Sequence, residues 1–101
     1  MKEKLHQGDI IKVENHKNPV LVVSKDYFNQ TGEIIGCPIL NNGSTGPLHI
    51  MINGNNVEGI VHCENMKLLD MNARGYTVID RITMSLIIDI TDAIQAIFDY
   101  V

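Results

Sequence analysis

Asn15-His16-Lys17-Asn18 sets an imidazole, an ammonium and a carboxamide side by side in a short polar connection ahead of Pro19. An imidazole titrates near neutrality and can act as acid or base. An ammonium holds a phosphate as a point charge, without the two-pronged grip of a guanidinium. A carboxamide makes hydrogen bonds but brings neither charge nor a useful pKa. His16, Lys17 and Asn18 are therefore the candidates for proton transfer beside a bound anion; the alternative for His16 and Lys17 is ordinary solvated loop polarity. Arg74 is a candidate phosphate clamp or a charge that steadies its own turn. Lys12 and Lys25 can extend a basic groove around Lys17. Ser44 and Thr45 offer hydroxyls, in a loop whose composition also suits plain turn chemistry.

The charge balance limits what such a groove can bind. The chain carries 12 Asp and Glu against 8 Lys and Arg, a net charge of −4. Residues 1–50 hold five Lys and five acids; residues 51–101 hold Lys67, Arg74 and Arg81 against seven acids. An acidic chain argues against strong, sequence-independent nucleic-acid binding, which depends on neutralising phosphates. It leaves room for a local basic groove in the balanced half. Two cysteines, Cys37 and Cys63, are too few for a disulfide framework. They read as small buried thiols. None of the four histidines shows zinc-finger spacing to them, so neither a metal nor a cofactor is expected. His49 and His62 lie in apolar strands and read as structural histidines. Glu64 and Asp70 read as solvated or hydrogen-bonded carboxylates.

The elements that must position these groups are mostly strands. The 101 residues suit one domain over residues 1–101, and 45% apolar residues with 20% charged suit a soluble globular protein. No apolar run approaches the roughly 18 residues that span a bilayer. The N-terminus lacks an apolar signal core, so a cytoplasmic protein is expected. Gly8–Glu14 predicts a strand with Ile11 and Val13 on one side and Lys12 and Glu14 on the other. Val20-Leu21-Val22-Val23 predicts a strand buried on both faces. Ser24–Asn29 predicts a helical turn, capped by Ser24 or Asp26 and pinned by Tyr27 or Phe28. Glu33–Ile39 is the next strand, and Asn41–Pro47 a loop. Leu48–Ile52 and Val57–Cys63 form a hairpin around Asn53–Asn56. Glu64–Asp70 reads equally as strand or short helix, Asn72–Gly75 as a turn, and Tyr76–Ile82 as a last strand. Ile87, Ile90, Ile94, Ile97 and Val101 then recur at helical spacing, with Leu86, Ala93 and Phe98 widening the stripe. Thr83 or Ser85 is the N-cap. The sum is a mostly-β antiparallel domain with a C-terminal helix, in a barrel-like sheet.

Taken in order, Gly8-Asp9-Ile10, Pro19 through Ser24, Tyr27, Asn29, Thr31-Gly32, Cys37-Pro38, Gly59-Ile60-Val61, Lys67-Leu68-Leu69-Asp70 and Ala73-Arg74-Gly75 resemble the PemK/MazF family of toxin–antitoxin ribonucleases. The resemblance covers nearly the whole chain. It implies an SH3-like small β-barrel, a homodimer, and an endoribonuclease that cuts single-stranded mRNA without metal. It also implies an antitoxin whose tail fills the RNA groove. Two positions depart from the family pattern. Where the family has Arg-Pro this chain has Asn18-Pro19, and where it has Cys-Pro-Ile-Thr this chain has Cys37-Pro38-Ile39-Leu40. In the family that Arg and Thr carry most of the chemistry. The loop from Gly8 to Pro19 is also shorter than is usual there. Two further functions go with the same fold: a catalytically inactive module that binds an antitoxin or another protein, and a gyrase-directed poison like CcdB.

Overall fold

A computed structural model of the protein describes residues 4–98. Seven strands and two helices follow one another: β1 (Asp9–Val13), β2 (Val20–Val22), α1 (Asp26–Asn29), β3 (Glu33–Leu40), β4 (His49–Asn53), β5 (Glu58–His62), β6 (Lys67–Asp70), β7 (Tyr76–Arg81) and α2 (Met84–Ile97). The strand order is β4-β5-β3-β2-β1-β7, with β6 also on β3, and every pairing is antiparallel. This is a curved half-barrel backed by a C-terminal helix.

The curl follows from how apolar residues alternate. In β2, Leu21 enters one core cluster with Ile10, Cys37, Ile39, Ile52, Val61 and Cys63. Val20 and Val22 enter a second with Ile11, Val13, Ile34 and Leu69. The unbroken Val-Leu-Val run is buried on both faces, as its composition predicts. In β1, Ile11 and Val13 are buried on one side while Lys12 is exposed. Each of these large aliphatic side chains contributes roughly 1.5–3 kcal/mol by leaving water. Helix α2 closes the first cluster through Ile90, with Leu86, Ile87, Ala93 and Ile94 packed around it. The Thr83 hydroxyl caps it, accepting the Leu86 N–H. The helical stripe is shorter than its sequence period suggests. Ile97 and Phe98 stay exposed because no strand of the cluster underlies the last turn. Val101 lies outside the described residues.

Helix α1 departs from expectation. Lys25 is its N-cap and no side chain caps it. Asp26 instead accepts from the His6 ring at 2.7 Å and the Gln7 N–H at 3.2 Å. Tyr27 is 82% exposed and pins nothing. Asn29 anchors the turn, donating to the carbonyls of Leu5 and Ser24, while the Ser24 hydroxyl accepts the Ile35 N–H. Hydrogen bonds hold this short helix where apolar packing was expected. The ambiguous segment resolves as strand β6, because β3 offers it a free edge from Glu33 to Gly36.

Asp80 joins the two ends of the sheet. Its carboxylate accepts the backbone N–H groups of Asn55, Asn56 and Val57 at the β4–β5 hairpin tip, and that of Arg81. A side chain at Gly54 would collide with it. Burial opposes ionisation here, but the N–H bonds from Asn56, Arg81, Val57 and Asn55 prevail and hold its pKa below 3.8. A charged acceptor is worth about 1.5–3 kcal/mol when buried; Asp80 is partly open to solvent, so Asp80→Asn is expected to cost about 1 kcal/mol in urea unfolding at pH 6. A pKa lowered by folding adds stability above the unfolded value, which is lost as pH falls through the folded one. The gap between parent and variant should therefore shrink below pH 3.8; a gap that is constant with pH would contradict the role given to the charge.

Candidate functional site

The turn between β1 and β2 is built by one left-handed residue. Asn15 has φ 67°, and the His16 N–H returns to the Val13 carbonyl at 3.1 Å. Asparagine tolerates this conformation at the third position of a four-residue turn better than most side chains. The Glu14 N–H donates to the Gly75 carbonyl at 2.9 Å, tying this turn to the one before β7. That bond brings Arg74 to His16, with Nη1 donating to Nε2 at 3.1 Å across 58 residues of sequence.

Beyond this turn, His16, Lys17, Asn18, Val20, Gly36, Pro38, Asn65, Lys67 and Leu69 line a cleft of about 140 Å³. It is smaller than the roughly 300–1,000 Å³ of pockets that enclose a whole ligand. Its size suits one group of a strand lying across it. The floor needs a glycine, since a Cβ at Gly36 would collide with Val20. Among the described residues, the side chains of Lys17, Asn18, Asn65 and Lys67 form no hydrogen bonds, so their donors remain available. Among the described residues, no carboxylate lines the cleft.

Asn18 and Leu40 stand just beyond the last pairs of the β2–β3 ladder, and of the two only Asn18 lines the cleft. Val20 faces Pro38, and the ladder runs on through the Ile39 N–H to the Pro19 carbonyl at 3.0 Å, which sets Asn18 opposite Leu40. Alternation puts Leu40 on the face of β3 that carries Gly36 and Pro38, while Asn18 sits in the bend before β2. A hydrocarbon therefore stands where the resemblance implies a hydroxyl, across from an amide where it implies a guanidinium.

The other candidates are spread out. Lys12 is exposed on β1 opposite Thr77, and Lys25 is exposed at the start of α1; neither lines the cleft. Ser44 and Thr45 are exposed in the loop after β3. Lys67 and Asn65 are cleft residues that the sequence does not single out, because their place depends on how β6 pairs with β3. A larger cavity of about 430 Å³ opens beside α1 and Met71. Three of its polar side chains are already engaged, His6 with Asp26 and Asn29 with backbone carbonyls.

The cysteines are inert. Burial pushes the Cys37 thiol up to about 12 and Cys63 to about 11, with the Glu64 charge adding to each and the Cys63 sulfur adding to Cys37. His49 and His62 are partners across the β4–β5 ladder with stacked rings 4.1 Å apart. The bond from His49 holds the Glu64 carboxyl below its usual range.

A curled antiparallel sheet with one backing helix and a small basic cleft defines a half-barrel protein. The chain belongs to the PemK-like, MazF-like toxins of type II toxin–antitoxin systems, whose family model matches residues 6–98. Solved structures agree on the fold. The MazE–MazF crystal structure (Form-II) from Deinococcus radiodurans superposes with a TM-score of 0.87 at 16% identity, covering 99% of this chain and 100% of that one. An endoribonuclease in complex with its cognate antitoxin from Mycobacterial species gives 0.81 at 17% identity, covering 93% and 94%. The Mycobacterium tuberculosis toxin MazF-mt6 gives 0.73 at 19%, covering 92% and 99%. Among curated proteins, none matches the chain by sequence. No helix among the described residues is long and apolar enough to cross a membrane.

The Arg74 bond requires a lone pair on His16 Nε2, which places the ring proton on Nδ1. Nitrogen-15 chemical shifts at alkaline pH should report this tautomer for His16, and Arg74→Ala should remove the preference. A neutral ring protonated on Nε2 in the parent protein would show that the bond does not form.

Proposed function

We propose that this protein is a metal-independent endoribonuclease of single-stranded RNA with a slow chemical step, centred on the cleft at His16–Asn18. The observation that carries the reading is the convergence of Lys17, Lys67, Asn18 and Asn65 with His16 in a cleft free of carboxylates. In such cleavage the ribose 2′-oxygen bonds to the adjacent phosphorus as the bond to the 5′-oxygen breaks. The 2′-hydroxyl proton leaves to a base, and an acid returns one to the 5′-oxygen. Released from Arg74, the neutral His16 ring can take the 2′-hydroxyl proton on Nε2, and the imidazolium so formed can return a proton to the 5′-oxygen. Lys17 and Lys67 counter the charge that builds on the phosphoryl oxygens. Among the described residues lining the cleft, His16 alone must serve both roles, and it must first give up its bond to Arg74, while Leu40 gives no hydroxyl, so the rate should be low. The same reading includes a homodimer and a cognate antitoxin, supported by the family and by neighbours that are toxin–antitoxin complexes.

A second reading, an inactive binding module, is favoured by Leu40 lying opposite Asn18. Incubating the purified chain with a long single-stranded RNA in EDTA separates the two. Slow cleavage to a 2′,3′-cyclic phosphate end, abolished by His16→Ala, supports the ribonuclease. RNA retention without cleavage, with cutting created by Asn18→Arg together with Leu40→Thr, supports the module. Neither cleavage nor retention at low salt would sink the RNA reading altogether.

Binding itself should show the two ammonium groups. Single-stranded RNA releases roughly 0.7 counterions per neutralised phosphate. Lys17→Ala and Lys67→Ala should each weaken retention and flatten the plot of log K against log salt by about 0.7, whereas Lys25→Ala should leave both unchanged.

A further inference from the structure

Strands β5 and β6 run along the same edge of β3 as one interrupted passage. Ile39 faces Val61, yet Gly36 faces Lys67, so three steps of β3 are met by six of its partner. The surplus residues bulge out between His62 and Lys67. This bulge turns Glu64 onto the β4–β5 hairpin, where its carboxylate lies 2.7 Å from His49 Nε2. His49 and His62 already face each other across that hairpin. The result is a cross-strand pair of imidazoles with a carboxylate two residues beyond one of them.

We propose that His49, His62 and Glu64 form a binding site for one divalent transition-metal ion of the zinc class. Their ligand atoms all lie within 4.8 Å of one another. A tetrahedral zinc ion with bonds of roughly 2.0–2.2 Å holds its ligands about 3.3–3.6 Å apart. Binding a metal would draw the most widely spaced of the three together by roughly an ångström from their present spacing. His62 adds an independent indication: its Nε2 is shielded from solvent and has no hydrogen-bond partner among the described residues. An orphaned buried nitrogen is costly unless something binds it. Two nitrogens and one oxygen suit zinc, and the imidazoles disfavour magnesium and calcium, which take oxygen ligands. The thiol of Cys63 is outside the set because it is buried in the first core cluster. The remaining coordination position is open to water. A metal here ties the β5–β6 bulge to β4. The bulge also carries Asn65 to the cleft, so the metal would brace one cleft wall without entering it.

The test uses the untagged full chain, freed of metal and titrated with Zn²⁺ by calorimetry and with Co²⁺ by absorption. The expected result is one saturable site per chain, a rise in thermal midpoint with Zn²⁺, and a cobalt spectrum typical of nitrogen and oxygen ligands. His62→Ala and Glu64→Gln should each weaken Zn²⁺ binding at least tenfold. Circular dichroism checks that the variants fold, and His49→Gln serves as the substitute should His62→Ala fail that check. No saturable binding at submillimolar Zn²⁺, binding unchanged in folded variants, or a sulfur-to-cobalt charge-transfer band would each overturn the proposal. Because no RNA enters the experiment, its failure would leave the ribonuclease reading intact.

Discussion

Strand β3 is hydrogen-bonded along both edges, and every other part of the molecule takes its place from that. One edge holds β2 through Gly36, Cys37 and Pro38; the other holds β6 from Glu33 to Gly36 and β5 at Ile39 and Leu40. A strand engaged on both sides loses its unpaired backbone groups and is buried on alternate faces, which costs the sheet its freedom to slip. Moving β3 by one residue would turn Cys37 and Ile39 out of the first cluster and empty the floor of the cleft. The cleft, the bulge that carries Glu64 and the placing of Leu40 at the end of the ladder beyond Asn18 are all consequences of this one register.

The same sheet explains how a chain of net charge −4 carries a basic cleft. Helix α2, with the exposed Asp89 and Asp92, packs on the first core cluster, whereas Val20 and Leu69 of the cleft belong to the second. The sheet lies between the helix acids and the cleft ammonium groups. Salt screens the exposed helix acids from the cleft beyond roughly 10 Å, but the wider acidic field still opposes a long polyanion. Asp9 shows the opposite case, an acid that the fold absorbs. It is fully buried, and accepts the His6 N–H at 2.8 Å and Arg81 Nε at 2.6 Å. In the Gly-Asp-Ile run its role is to close the first strand against the last, which is a structural reason for a residue of that kind there.

Local patterns were legible wherever one physical preference ruled. The double-faced burial of β2, the hairpin around Asn53–Asn56, the Thr83 cap and the inner face of α2 all follow from period, branching and turn chemistry. Helix α1 is where predicted, but of the two expected aromatic anchors Tyr27 is exposed and Phe28 only half-buried, and neither Ser24 nor Asp26 caps it. A four-residue helix has too little surface to bury an aromatic ring, and Asn29 and Ser24 hold it through backbone bonds instead. At the candidate site, His16, Lys17 and Asn18 were visible as neighbours in one connection. Lys67, Asn65 and the His49–His62–Glu64 group were not, because nothing in a linear spacing records which strands pair.

The sequence by itself determined the class of fold, the apolar alternation that curls the sheet, and the identity of the residues flanking Pro19 and Cys37-Pro38. Those are properties of single residues and their near neighbours. Only the tertiary structure decided that Asn18 stands across from Leu40, that Arg74 takes the lone pair of His16, and that surplus residues between β5 and β6 turn Glu64 toward two histidines. Each of these depends on register, the offset between strands distant in sequence, and register is set by packing the whole core at once.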